Sequence, residues 1–316
     1  HEIMTALERS WARHWFELHD GQLILIGVKI RDNAPLTGKK LRDMTGSIHN
    51  VHVAAIKRNH ETIIPRGDDD IEAGDIIYFT TTKDHVKDIR EMCGKKDSVI
   101  RRVLVMGGSR IAMRFANLAV DKFKIKVIEI DRQRCDKVAE KCENVRVVYG
   151  DARDIDTLRD QGIQDFDAFV ALTDSSEANI LTCLSAKELG VEKTIAEVED
   201  IQFISQAENL NIGTIINKKL IASSKIFQIL LDADTDTAKC LALADAEVAE
   251  LEVHKGAKVV GTPVYKLKLP RDITFAGMIR DGRGMLISGQ TELQPGDHVL
   301  VFTLGGAIHK LDKLFY

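Results

Sequence analysis

The stretch that decides the fold is "RRVLVMGGSRIAMRFANLA", Arg101 to Ala119. An apolar strand runs into a glycine turn and then into a helical pattern, the order of elements in a phosphate cradle. The turn reads Gly107-Gly108-Ser109-Arg110-Ile111-Ala112. Against the dinucleotide fingerprint G-x-G-x-x-G/A, the first glycine and the closing alanine are in place, and serine replaces the middle glycine. Gly107 suits the sharp exit from the strand, and Ala112 suits close packing of helix on strand. Ser109 puts a side chain where backbone would touch phosphate, and its hydroxyl offers a hydrogen bond in exchange. The following helix points its first N–H groups at the place of a pyrophosphate. Arg110 either reaches a phosphate or lies exposed on that first turn.

Downstream, "KVIEID" reads as a second strand carrying Glu129, 22 residues after Gly107. An acid at about 20 residues accepts ribose hydroxyls, which favours NAD, ATP or ADP over a 2′-phosphorylated cofactor. Arg132, close by, pulls the other way. "YGDARD" follows a third strand and sets Asp151 and Ala152 where an adenine edge fits. "LTDSSEANI" follows a fourth, so Thr173 and Asp174 reach the same carboxyl edge, near the switch point of such sheets. Each has a purely structural alternative. Glu129 and Asp131 can form a solvated strand end, and Thr173 or Asp174 can cap a helix with Glu177 as its capping-box partner.

From Val99 to Leu231 strand-like and helix-like patterns alternate, the signature of βαβ units in a doubly wound, Rossmann-like parallel sheet. On both sides the texture changes to short strands broken by turns. The flanks are related to each other: "IRDNAPLTGKKLRDM" answers "VHKGAKVVGTPVYKLKL", and Gly74-Asp75 answers Gly296-Asp297. Each Gly-Asp pair makes a tight turn into an apolar strand and a closing helix. The expected organisation is a connector remnant plus small α+β lobe over 1–94, the Rossmann-like lobe with a crossover helix over 99–232, and a second small α+β lobe over 236–316. A nucleotide lobe followed by a small lobe is one repeating unit, so the chain is expected to begin partway through a tandem. "HEIMTALERSWARHWFELHDG" then reads as the tail of a connector, or else as an N-terminal amphipathic helix.

A formal charge of −4, with basic clusters that are short and interleaved with acids, argues against nucleic-acid binding. No apolar run approaches the roughly 18 residues of a bilayer span. No secretory apolar region opens the sequence. The five cysteines contain no C-x-x-C pair. Cys135 and Cys142 read as packing rather than a metal pair, and unpaired thiols fit a cytoplasmic setting. His49, His52, His60, His254 and His298 are scattered, with no carboxylate beside them in a recognisable constellation. No catalytic residue and no metal site is therefore expected.

With these residues laid out, the chain resembles the TrkA family, regulatory subunits of Trk-type potassium uptake systems built from modules called KTN or RCK domains. "VLVMGGSRIAMRFA", "VIEIDRQRC", "VYGDARD", "LTDSSEANILTCLSAKELG" and "GDHVLVFT…LDKLF" carry the resemblance, which covers nearly the whole chain. It implies nucleotide contacts at Gly107, Gly108, Ser109, Arg110, Ile111, Glu129, Thr173 and Asp174, with NAD(H) or ATP/ADP as ligand. It also implies a non-enzymatic sensor at the inner face of the membrane, acting on a potassium-transporting membrane subunit. Assembly would be a homodimer or dimer of dimers through a 214–231 helix, on which Ile216, Leu220, Phe227 and Leu231 fall near one face. Where the family often has a base at the end of the fifth strand, this chain has Glu197. A carboxylate there repels a pyrophosphate, and affects a mononucleotide held at Glu129 and the glycine turn less. Two rivals remain: a structural module that assembles without nucleotide, and an NAD-dependent oxidoreductase.

Overall fold

A computed structural model describes residues 1–19, 21–44, 50–59, 61–96, 98–223, 240–243, 246–305 and 307–315. They form two compact units, 1–13 with 97–221 and 14–96 with 222–316. Helix α1 (Glu2–Glu8) belongs to the first unit. The second unit begins with β1 (His14–Leu18), β2 (Leu23–Lys29), α2 (Leu41–Met44), β3 (Val51–Arg58), β4 (Glu61–Ile63), β5 (Ile76–Thr81) and α3 (Val86–Met92). These strands make one antiparallel sheet in the order β1-β2-β5-β3-β4. The central strands read "LILIGVK" and "IIYFTT", apolar on both faces rather than alternating, because both faces are covered.

The first unit continues through β6 (Arg102–Met106), α4 (Arg110–Ala119), β7 (Lys124–Glu129), α5 (Arg132–Lys141), β8 (Arg146–Tyr149) and α6 (Ile155–Asp160). It closes with β9 (Ala168–Ala171), α7 (Ser176–Glu188), β10 (Lys193–Glu197), α8 (Ile201–Asn209) and β11 (Thr214–Ile216). The six strands are parallel in the order β8-β7-β6-β9-β10-β11, the doubly wound arrangement whose direction reverses between β6 and β9. Residues 1–13, grouped by sequence with the small lobe, pack in this unit. Ile3, Met4 and Leu7 enter the core beside Phe115, Ala116, Ala119 and Ile195. The buried Lys193 Nζ donates to Ser10 O at 3.1 Å, Ala12 O at 3.2 Å and Thr214 Oγ1 at 2.9 Å, tying the opening segment to the sheet edge.

The expected 214–231 helix needs correction. Thr214, Ile215 and Ile216 are three β-branched residues, and they extend the sheet as its edge strand. Gly213 makes the entry at φ +108°, where a Cβ would stand 2.1 Å from Thr194 O. A helix starts only at 218, with Asn217 Oδ1 accepting the Leu220 N–H at 2.9 Å. Ile216 therefore shares no helical face with Leu220, and Phe227 and Leu231 lie outside the described residues.

The second unit resumes with β12 (Cys240–Leu243), β13 (Ala246–Glu252), β14 (Ile273–Arg280), β15 (Arg283–Leu286) and β16 (His298–Leu304). Their order, β12-β13-β16-β14-β15, repeats that of the first small lobe. Both lobes carry a β-bulge at the same place, with Ala54 between Val53 and Ala55 and Ala276 between Phe275 and Gly277. The two lobes share one apolar interior, in which Leu25, Ala54 and Tyr78 meet Val248, Ala276, Leu300 and Phe302. Gly74 and Gly296 turn at φ +94° and +89°. The aspartates that follow do more than shape the turn. Asp75 accepts both arms of Arg58 at 2.9 and 2.8 Å, and Asp297 both arms of Arg280 at 2.8 and 2.6 Å.

Candidate functional site

The parallel sheet gathers its carboxyl ends at the point where strand order reverses. Gly107 leaves β6 at φ +98°, and a Cβ there would meet Leu172 O and Thr173 Cγ2 at 3.0 Å. Gly108 is equally confined: a Cβ would stand 2.9 Å from Val138 Cγ2 and 3.0 Å from Glu129 Oε2. Ser109 has φ −65° and ψ 165°, a conformation open to any residue, so the turn has no need of a glycine there. Its Oγ caps α4 by accepting the Ala112 N–H at 3.2 Å. The N–H groups of Arg110 and Ile111, in the first turn, have no intrahelical acceptor. Ala112 is buried at the base of the helix.

Glu129 is not a solvated strand end. It is 3 % exposed, and its carboxylate accepts the N–H of Gly108 through Oε2 and that of Asp131 through Oε1, the latter at 2.8 Å. The acid thus holds the glycine turn in shape, and its oxygens keep lone pairs for a further donor. Asp131 caps α5 by accepting the Arg134 N–H at 2.9 Å. The expected Thr173 or Asp174 cap of α7 is instead Ser175, whose Oγ accepts the Ala178 N–H at 3.1 Å and donates to Glu177 at 3.1 Å. Thr173 is clamped by Asn179: its Oγ1 donates to Asn179 Oδ1 at 2.6 Å, and Asn179 Nδ2 donates back to Thr173 O at 2.9 Å. The same Nδ2 reaches Glu197 O at 2.8 Å, joining the ends of β9 and β10.

Two adjoining cavities open along this edge. The smaller, of about 250 Å³, is lined by Gly107, Glu129, Asp151, Ala152, Thr173 and Asp174 among others. The larger, of about 820 Å³, lies against the first turn of α4 and includes Gly108, Ser109, Arg110 and Ile111 in its wall. Arg134 and Asp174 line both. All ten residues singled out from the sequence therefore border one cavity or the other. Asp151 is held below the usual carboxylate range by Arg153, which grips it with side-chain hydrogen bonds.

The larger cavity carries a charge that sequence reading overlooked. Arg110, Arg134, Lys137, Lys141 and Lys218 face two carboxylates, Asp174 and Glu197. Arg134, Lys137 and Lys141 recur at three and four residues on α5, and that spacing was the available signal. Glu197 is buried, and it does not stand alone. Lys218 Nζ lies 2.6 Å from its Oε1 and also pairs with Glu199, so the Lys218 ammonium is held above its ordinary range. A base is thus present at the end of the fifth strand, contributed by the residue two positions beyond β11.

The thiols of Cys135 and Cys142 are buried and pushed up by desolvation, consistent with packing. The reading of the histidines is overturned at one point. His298 does have a carboxylate neighbour, since its Nδ1 lies 3.0 Å from Glu250 Oε1. His19 lies 2.6 Å from the same oxygen. These residues are 231 and 48 positions from Glu250, too far apart for any local motif.

The TrkA-N domain family matches residues 103–218, and the TrkA-C domain family matches 25–94 and again 248–316. The chain is 28% identical over 298 residues to the Trk system potassium uptake protein TrkA homolog 2 of Methanosarcina mazei, covering 93% of this chain and 66% of that protein. It is 26% identical over 319 residues to the Trk system potassium uptake protein TrkA of Halomonas elongata, covering 99% and 70%. The chain thus spans about two thirds of the length of the curated relatives it matches. Among solved structures, the GsuK channel bound to NAD superposes with a TM-score of 0.53 at 13% identity, over 99% of this chain and 56% of that one, a likeness of fold. With one TrkA-N domain set between two TrkA-C domains, the chain belongs to the TrkA family of Trk-type potassium uptake proteins.

Proposed function

We propose that the TrkA-N lobe binds an adenine nucleotide, NAD(H) or ATP/ADP, and that the chain is a nucleotide-sensing regulator of potassium uptake. The observation that carries this reading is the pairing of an electropositive cavity with the helix N-terminus. Five cations against two carboxylates surround the first turn of α4, where helix dipole and unpaired N–H groups already favour an anion. In this reading Gly107, Gly108, Ser109, Arg110 and Ile111 border the phosphates and Glu129 accepts from ribose. Asp151 and Ala152 border the base, and Thr173 and Asp174 close the edge between the two cavities. Lys218 neutralises Glu197, so the acid at the fifth strand does not oppose a second phosphate.

The regulatory half of the proposal rests on the relatives, which are named as Trk system potassium uptake proteins. Nucleotide would act through its differential affinity for two arrangements of a dimer or dimer of dimers at the cytoplasmic face of the membrane. A potassium-transporting membrane subunit would receive the change. Among the described residues no helix is long and apolar enough to cross a membrane.

Calorimetric titration of the purified chain with NADH, NAD, ATP and ADP tests the reading. Saturable binding of at least one is expected, weakened about tenfold or more in Arg134→Ala and in the double variant Lys137→Ala, Lys141→Ala. Glu129→Gln keeps one of the two acceptors that hold the glycine turn, and its unfolding midpoint, measured beside the titration, separates lost ribose recognition from loss of fold. Folded protein that binds none of the four nucleotides would leave this lobe a structural module.

A further inference from the structure

Three side chains with no part in the nucleotide reading converge where the two small lobes of the second unit meet. His19 sits in the turn after β1, where Gly21 N–H donates to Leu18 O at 3.1 Å and Gln22 N–H to His19 O at 3.0 Å. Its φ of +47° is in the left-handed region that residues other than glycine seldom occupy. Glu250 stands in β13, and His298 opens β16. Both imidazoles address one atom: Glu250 Oε1 is 2.6 Å from His19 Nε2 and 3.0 Å from His298 Nδ1. The rings stand edge to face with centroids 5.7 Å apart. The three donor atoms lie within 4.8 Å of one another, and among the described residues no other such trio of His, Cys, Asp or Glu occurs. The Glu250 side chain is 10% exposed and those of His19 and His298 are 26% and 41%, so the cluster opens to solvent on its histidine side.

We propose that His19, Glu250 and His298 bind a divalent transition-metal ion, with Zn²⁺ as the ion to test. Two imidazole nitrogens and one carboxylate oxygen are a donor set for an ion of borderline softness, and three protein ligands leave a position for water. Ligand atoms about 2.1 Å from a tetrahedral ion stand about 3.4 Å from one another. The two short contacts, 2.6 and 3.0 Å, would have to lengthen by about 0.8 and 0.4 Å to reach that spacing. His19 comes from the first lobe and the other two residues from the second, so the ion would staple the lobes together and stabilise the folded unit. This proposal is independent of the nucleotide reading, since the TrkA-N lobe contributes none of the three ligands.

The test is titration of the chelator-treated full chain with Zn²⁺, followed by calorimetry and by thermal unfolding. One ion per chain is expected, with the unfolding midpoint rising as Zn²⁺ is added. His19→Ala, His298→Ala and Glu250→Gln should each weaken binding by at least about 100-fold, beyond the usual loss of an outer-shell partner. His85→Ala removes a histidine paired with Asp88 elsewhere and should leave binding unchanged. Should His19→Ala fail to fold, His298→Asn at the more exposed ligand carries the same test. Folded wild-type protein that takes up no Zn²⁺ saturably would overturn the proposal and leave a hydrogen-bonded His–Glu–His cluster. Binding that survives loss of either histidine at wild-type affinity would overturn it as well.

Discussion

The two small lobes are one backbone plan used twice, and they differ most where side chains, rather than backbone, set the requirements. Strand order, bulge and buried Arg–Asp pair recur, with Arg58–Asp75 answered by Arg280–Asp297. Through the shared register Gly27 corresponds to Glu250, and Ile76 to His298. In the first lobe the glycine admits the His14 ring, which stacks on Tyr78 with centroids 5.6 Å apart. In the second the same place carries a carboxylate facing two imidazoles. The lesson is that turns, bulges and buried ion pairs are required by the fold, while positions at the seam between lobes were free to diverge.

The shared interior offers the strongest way to break the comparison. Phe302 and Thr80 occupy corresponding positions, both fully buried, one large and one small. Phe302→Ala should cost about 3–5 kcal/mol by opening a cavity, measured by denaturant unfolding. The repeated ion pair comes next. Arg58→Ala and Arg280→Ala should each cost about 3 kcal/mol, because each leaves a buried aspartate without its partner. Similar losses in the two variants would show that both pairs serve the fold alone, and a marked difference would break the equivalence.

The second pair also makes a pH prediction. Burial pushes the Asp297 carboxyl up, but the Arg280 hydrogen bonds and the Gln294 N–H bring it below its ordinary range. A depressed folded value stabilises above the unfolded value of about 3.9 and loses that contribution as pH falls through the folded one. Without Arg280 the burial effect dominates and carries the folded value above the unfolded one, so this acid limb should vanish in Arg280→Ala, and the variant's deficit against wild type should shrink as pH falls below about 3.9. The smallest effect concerns Thr80, whose buried Oγ1 has no hydrogen-bond partner. Thr80→Val should be neutral or stabilise by about 1 kcal/mol in the same unfolding measurement. A clear loss would mean that the hydroxyl is satisfied after all.

Much of the fold was legible because its signals are local. A strand, two glycines and a helix within Arg101–Ala119 mark the parallel sheet, and two Gly-Asp turns mark the repeated lobes. The failures have equally physical causes. Thr214–Ile216 continued an apolar spacing that fits a helix, but three β-branched residues after Gly213 complete the edge of a sheet. Ser109, read as trading a backbone contact for a hydroxyl, stands next to the two positions that are sterically confined, Gly107 and Gly108. Glu197 read as a repulsive acid because Lys218 lies 21 residues away and reaches it only after the chain has passed through α8 and β11.

The doubly wound sheet, the duplicated lobes, the family, and the residues at the carboxyl ends of the strands were all readable from residue order. Periodicity, glycine placement and motif spacing all act over a few residues, so they survive in one dimension. The charge of the larger cavity, the burial of Glu129 beneath the glycine turn, and the meeting of His19, Glu250 and His298 emerge only on folding. Those arrangements depend on side chains from elements far apart in the chain, brought together by packing. No local pattern encodes which of many distant partners a given carboxylate will face.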